Sequence, residues 1–165
     1  MAARLLPVGL TLLAALLDPW RLAAAPEPQR FGRWQERPSR CSIELAGEPP
    51  LLCRAVQLDQ RTASVLRLSL LAAAPQRQEQ QLTLVGELLP ESEPMACRDG
   101  RCQLRQPLQL QLRTISLTHF DGRGLAQGLP RTWVGQGSCR LAVDAISCEA
   151  RDNADQQWTV EVDFH

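Results

Sequence analysis

Six cysteines, two histidines and a group of arginines are the residues of this 165-residue chain with the most chemistry in them, and their spacing narrows what that chemistry is. Cys41, Cys53, Cys97, Cys102, Cys139 and Cys148 are even in number and fall into three neighbouring pairs. Structural zinc is held by two close Cys or His pairs, and C-x4-C without a second such pair is poor metal spacing, so no metal is expected. An active dithiol usually sits two residues apart at a helix N-terminus, where the dipole stabilises thiolate; Cys97 and Cys102 have neither feature. Disulfides remain; six cysteines allow about fifteen connectivities, and sequence alone does not select one, but the local sequence between neighbours is informative. Asp99-Gly100 is a two-residue hairpin turn that pairs Arg98 with Arg101 and sets Cys97 against Cys102 at a non-hydrogen-bonded position, with Cα atoms about 4.5 Å apart. Residues 139–148 read as strand, tight turn near Asp144, strand, and 41–53 enclose a wider turn from Gly47 to Pro50. The expected bridges are therefore 41–53, 97–102 and 139–148.

Catalytic groups are sparse. His165 is the last residue given, so a histidine mechanism rests on His119, with Asp121 two positions on as its orienting carboxylate. Residues two apart on a strand share a face but point in parallel instead of converging, and no nucleophile motif accompanies them. Glu87, Glu91 and Glu93 flank a Pro-rich loop and Asp152 and Asp155 a polar turn, where solvated charge is the default. Gly135-Gln136-Gly137-Ser138 is not Gly-x-Ser-x-Gly, and is expected to supply turn glycines ahead of a disulfide-bonded strand. P-loop, dinucleotide and EF-hand patterns are absent, so no cofactor is expected.

Two features suit binding better. Arg98, Arg101 and Arg105 surround the Asp-Gly hairpin, and guanidinium forks on a stapled turn can grip a carboxylate or phosphate at low ordering cost. The Gly-rich loop Gly122–Pro130 carries Leu125 and Leu129, both expected to be partly exposed. The reading is a non-enzymatic binding module for an envelope protein, a glycan or an anionic ligand. Its alternatives are a small secreted hydrolase using His119 or a carboxylate pair, and an envelope assembly subunit that adds a strand to a neighbour.

These residues need elements to position them. With 44% apolar residues the chain can build one core, and 18 basic against 18 acidic groups leave no basic footprint for nucleic acid. All eighteen cations are Arg, and Lys and Tyr are absent, a bias that suits a GC-rich bacterial genome. Arg4, the apolar run Leu5–Leu17 and the small residues up to Ala25 read as a leader, residues 1–25, cut after Ala24 or Ala25. Thirteen apolar residues are too few for a bilayer core that needs about twenty, so the expected destination is the periplasm or the outside, with no transmembrane segment left after cleavage. Residues 26–40 read as an extended Pro/Arg-rich arm whose Phe31 and Trp34 pack onto the sheet, and 41–165 as a single β domain.

Within that domain period-two alternation recurs, as in Leu66-Leu68-Leu70, Leu82-Leu84 and Trp158-Val160-Val162. Turn residues break it at regular intervals, which predicts an all-β fold, an antiparallel sandwich or barrel of about eight to ten strands. From Leu108 to Leu112 the apolar positions are even, and at Ile115 and Leu117 they are odd; a strand that changes parity must bulge near Arg113-Thr114. N-terminal sequencing of the exported protein checks the leader: a first residue of Ala25 or Pro26 is expected, and an N-terminus at Met1 contradicts it.

Overall fold

Half-apolar strands bury one face only if the sheet folds back on itself or on a second sheet, and here it closes on itself. The computed structural model describes residues 31–74 and 78–165; the expected leader and the first residues of the arm lie outside this range. The strands are β1 (Gly32–Glu36), β2 (Arg40–Leu45), β3 (Leu51–Gln60), β4 (Val65–Ala73), β5 (Glu79–Leu88), β6 (Ala96–Arg98), β7 (Arg101–Gln103), β8 (Leu108–Phe120), β9 (Arg131–Leu141), β10 (Ala145–Asp152) and β11 (Gln157–Asp163). Eight of them, in the order β2-β3-β4-β5-β8-β9-β10-β11 and back to β2, form a closed up-and-down antiparallel barrel, and no helix occurs among the described residues. No described segment is a helix long and apolar enough to cross a membrane.

Inward-facing positions are filled by branched aliphatic side chains. Leu58, Leu68, Leu70, Leu84, Leu110, Ile115, Leu141 and Ile146 are all fully buried, so the interior is a packed core and not a channel. One end, the base, gathers the β3–β4 turn, the β5–β8 connection with its β6–β7 hairpin, and the β9–β10 turn. The other end, the mouth, gathers the β2–β3 turn, the β8–β9 loop and the β10–β11 turn. Met95 and Leu104 are buried beside the hairpin, and Trp34 meets Phe164 edge-on with ring centroids 5.3 Å apart.

Residues 32–40 do more than extend. β1 pairs antiparallel with β3 from Gly32↔Gln60 to Glu36↔Val56, the chain then passes through Arg37-Pro38-Ser39, and β2 resumes beside β3 at Ser42↔Leu52 while also pairing with β11. Pro38 offers no N–H to a ladder, so a break falls naturally there. Trp34 is half-buried against the core, whereas Phe31 is 58% exposed and does not pack as expected.

All three local disulfides are present, with Cα–Cα separations of 5.1 Å for Cys41–Cys53, 4.0 Å for Cys97–Cys102 and 4.1 Å for Cys139–Cys148. Cys97 is registered against Cys102 and Cys139 against Cys148. Asp99 and Gly100 both have positive φ, 51° and 75°, as a type I′ turn requires. The parity change in β8 is met by a bulge: Val85 faces Thr114 and Gly86 faces Leu112, leaving Arg113 as the extra residue.

One expectation is corrected. Gly135 and Gly137 are not turn glycines but lie inside β9, because the barrel wall there leaves no room for a side chain. A Cβ on Gly135 would stand 2.7 Å from Ile115 Cγ1; one on Gly137, at φ 146°, would stand 2.7 Å from Ala150 Cα. Gly137→Ala is expected to cost about 2–4 kcal/mol through that clash and the forbidden φ, read as a lowered urea midpoint. Gly47→Ala, in open space at φ 88°, should cost about 1 kcal/mol. Equal costs would contradict this reading of β9.

Candidate functional site

A packed interior leaves the two ends and the outer wall for function. At the base the stapled β6–β7 hairpin docks on the start of β1: Arg33 N–H donates to Gly100 O at 2.9 Å, and Arg33 is registered in parallel with Arg101. The approach is close enough that a Cβ on Gly32 would stand 2.8 Å from both Gly100 O and Cys102 Sγ. Beside this contact an open groove is lined by Phe31, Gly32, Arg33, Asp59, Gln60, Arg61 and Gly100.

Its charges are arranged unevenly. Asp59 is 8% exposed and accepts from Arg33 Nε at 2.8 Å and Gln57 Nε2 at 2.8 Å. Burial on its own raises the Asp59 pKa, but the hydrogen bonds from Arg33 and Gln57 and the nearby charges of Arg33 and Arg67 outweigh it and hold the carboxyl below its ordinary value. Asp59 is thus ionised and already matched. Arg61, Arg101 and Arg105 make no ion pair among the described residues, and Arg98 reaches only its neighbour Asp99 at 3.6 Å, with both side chains solvated. A Gln60 carboxamide, 2% exposed, bonds Met95 N at 2.7 Å and Met95 O at 3.3 Å and ties the connection before β6 to the end of β3.

Of the three arginines singled out from the sequence, Arg98 and Arg101 are registered with each other on the hairpin and Arg105 lies beyond β7; none of them lines the groove, which the hairpin meets through Gly100. Arg33 and Arg61 were missed as partners because they come from β1 and the β3–β4 turn, far away in sequence; no local pattern announces them.

At the mouth, Asp152 organises an aromatic pair. It is 4% exposed and accepts from Ala154 N at 2.8 Å, Gln156 N at 3.1 Å and Trp158 Nε1 at 3.2 Å. Trp158 leans against Trp133 with centroids 5.7 Å apart, and the Arg131 guanidinium lies 5.1 Å over the Trp133 ring.

The groups considered for hydrolysis do not converge. Asp121 spends its carboxylate on its own loop, accepting from Arg123 N and Leu125 N at 2.9 Å and from Arg123 Nη2 at 2.9 Å, and makes no hydrogen bond to His119. Glu87 pairs with Arg113 at 3.1 Å, Glu93 with Gln106 at 3.0 Å, and Asp155 takes a left-handed turn position at φ 61°. Among the described residues no three His, Cys, Asp or Glu side chains gather as a metal site. No family model, curated protein or solved structure matches the chain.

Burial raises the Asp152 pKa, but hydrogen bonds from Trp158, Gln156 and Ala154 prevail and lower it overall. A folded-state value below the unfolded one stabilises the fold above the unfolded pKa, and that contribution is lost as pH falls through the folded value. Acid titration followed by tryptophan fluorescence should therefore show the Trp133–Trp158 signal steady at neutral pH and changing only below about pH 4. Asp152→Asn should cost about 1–3 kcal/mol at pH 7 and flatten that acid response; an unchanged acid transition would contradict the role given to Asp152.

Proposed function

We propose that the protein is a non-enzymatic binding module of the periplasm or extracellular space that takes an anionic group, a carboxylate or phosphate on an envelope component, in the basal arginine groove. Three disulfides fit an oxidising compartment, and a closed barrel with its interior filled fits a rigid scaffold better than a container. The observation that carries the reading is the docking of the hairpin on β1. A bridge at Cys97–Cys102 and the backbone bond from Arg33 to Gly100 fix the turn, so the hairpin that carries Arg98 and Arg101 is held against Arg33 at the edge of the groove before any ligand arrives. Such preorganisation removes part of the ordering cost that weakens a loose cluster of surface arginines.

The proposal rests on chemistry at the base alone. Asp59 neutralises Arg33, and Arg61, which makes no ion pair among the described residues, gives the groove its net attraction for an anion, with Arg101 on the hairpin beside it. Arg105 contributes at longer range. An envelope assembly subunit that donates its N-terminal strand is less well supported, since residues 32–36 are already paired with β3.

The test uses inorganic phosphate and an anionic glycan as probes. Replacing Arg98, Arg101 and Arg105 by Gln leaves solvated polar side chains and should shift the melting temperature little. Affinity for the glycan should fall about tenfold or more, and wild-type binding should weaken steeply between about 0.05 and 0.5 M salt, as the Debye length shortens from above to below 10 Å. Equal binding by both proteins, or none by the wild type, would remove the proposal.

A further inference from the structure

Ion pairing beside the basal groove leaves one arginine without an acceptor. On the outer wall, cross-strand registry sets Arg33 of β1, Asp59 of β3 and Arg67 of β4 in one row, as Arg33↔Asp59 and Asp59↔Arg67. Residues directly opposite on antiparallel strands share a face, with Cβ atoms about 4.5–5.5 Å apart, so either guanidinium can reach the carboxylate between them. Only Arg33 does. Asp59 Oδ1 accepts from Arg33 Nε at 2.8 Å and Oδ2 from Gln57 Nε2 at 2.8 Å, so both oxygens are taken. Arg67 makes no ion pair among the described residues, and its Nε is buried with no hydrogen-bond partner among them. A buried donor without an acceptor is costly, so Arg67 gains wherever an oxygen of Asp59 is released to it.

The members of the row differ in freedom. Arg33 lines the groove and its side chain is 58% exposed, that of Asp59 is 12% exposed, and Arg67 does not line the groove. An anion entering the groove therefore meets an arginine already committed to Asp59. Drawing Arg33 away would strand a shielded carboxylate without a cation, and breaking such a pair on one side costs more than the pair itself contributes. Arg67 removes that obstacle. As Arg33 turns from Oδ1 toward the anion, Oδ1 opens to Arg67, and Asp59 has a cationic partner before and after. The charged groups around Asp59 are Arg33 from β1, Arg67 from β4 and Arg61, which lines the same groove from the β3–β4 turn.

We propose that Arg67 is a positioning residue of the basal site, a reserve partner that takes Asp59 when an anionic ligand takes Arg33. The inference rests on the groove being the anion site, and it adds a residue that the ligand does not touch. Its consequence is that the whole charge of Arg33 goes to the ligand, although Asp59 neutralises that charge in the empty groove. Without the exchange, the anion would share Arg33 with Asp59 through the remaining guanidinium nitrogens and meet a half-neutralised cation.

Two measurements on the mature chain test this, the first without any ligand. Arg33→Gln imitates the liganded state by taking Arg33 from Asp59. Carbon-13 titration of the Asp59 carboxyl should then find its midpoint within about half a pH unit of the wild type, whereas Arg33→Gln with Arg67→Gln should raise it by more than about one unit. The second measurement holds even where that double variant folds poorly, because Asp59→Asn removes the charge that needs a partner. Arg67→Gln should weaken binding of inorganic phosphate about fivefold or more in the wild-type background and less than about twofold beside Asp59→Asn, with folding verified by circular dichroism. An Arg33→Gln midpoint raised as far as that of the double variant, or equal weakening by Arg67→Gln in both backgrounds, overturns the exchange and leaves the groove standing. A wild type that binds no phosphate removes the groove, and the exchange with it.

Discussion

Closure of the barrel depends on one narrow seam. β3 pairs with β4 from Cys53 to Gln60, but on its other side its partners change midway, from β1 to β2. The β2–β3 stretch has only two registered residue pairs, Ser42↔Leu52 and Ile43↔Leu51, and next to them β3 carries a bulge between Cys53 and Ala55. Cys41–Cys53 lies at this level. Two ladder pairs contribute about 1 kcal/mol per net hydrogen bond, whereas a bridge closing a ring of this size is worth about 3 kcal/mol in the loop-entropy account, so the disulfide holds the seam at least as strongly as the ladder does. Without the seam, β2 and β3 would be sheet edges with open backbone groups, and Ile43, Val56 and Val160 would lose their shelter.

A barrel closed this way, and filled with leucine, leaves recognition to its ends and its outer wall. The base is finished by additions to the eight-stranded frame: β1, the stapled hairpin, and the Trp34–Phe164 contact. Among the described residues the mouth has no such addition, and its centre is a small cavity between the β2–β3 turn and Trp158. Rigidity is common to both. The turns that border them are locked by a bridge at the base and by a capping carboxylate at the mouth, so each end presents a fixed shape.

Features written in adjacent residues were legible in the sequence. Alternation at Leu66-Leu68-Leu70 gave β4, Asp99-Gly100 gave the β6–β7 hairpin and its bridge, and the parity change between Leu112 and Ile115 gave the Arg113 bulge. Each is decided by neighbours along the chain. Pairings across long sequence separations were not. Nothing near Arg40–Leu45 announces that β2 will meet β11 at Trp158↔Leu45 through Asp163↔Arg40, and without that pairing sandwich and barrel read alike. The role of Gly137 depends on how closely Ala150 of β10 approaches, and the basal groove depends on Arg33 and Arg61 arriving beside a hairpin about forty to seventy residues later in the chain. Asp152 looked like solvated turn charge, because its value lies in the Trp158 indole it holds.

Native-state amide hydrogen exchange, compared between the wild type and a Cys41→Ser, Cys53→Ser protein, measures the seam directly. If closure rests there, protection should fall selectively in residues 40–45, 51–53 and 158–163, while the β4, β5 and β8 ladders keep theirs. Uniform loss across all strands, or no loss in residues 40–45, would mean that the barrel is closed by something other than this seam.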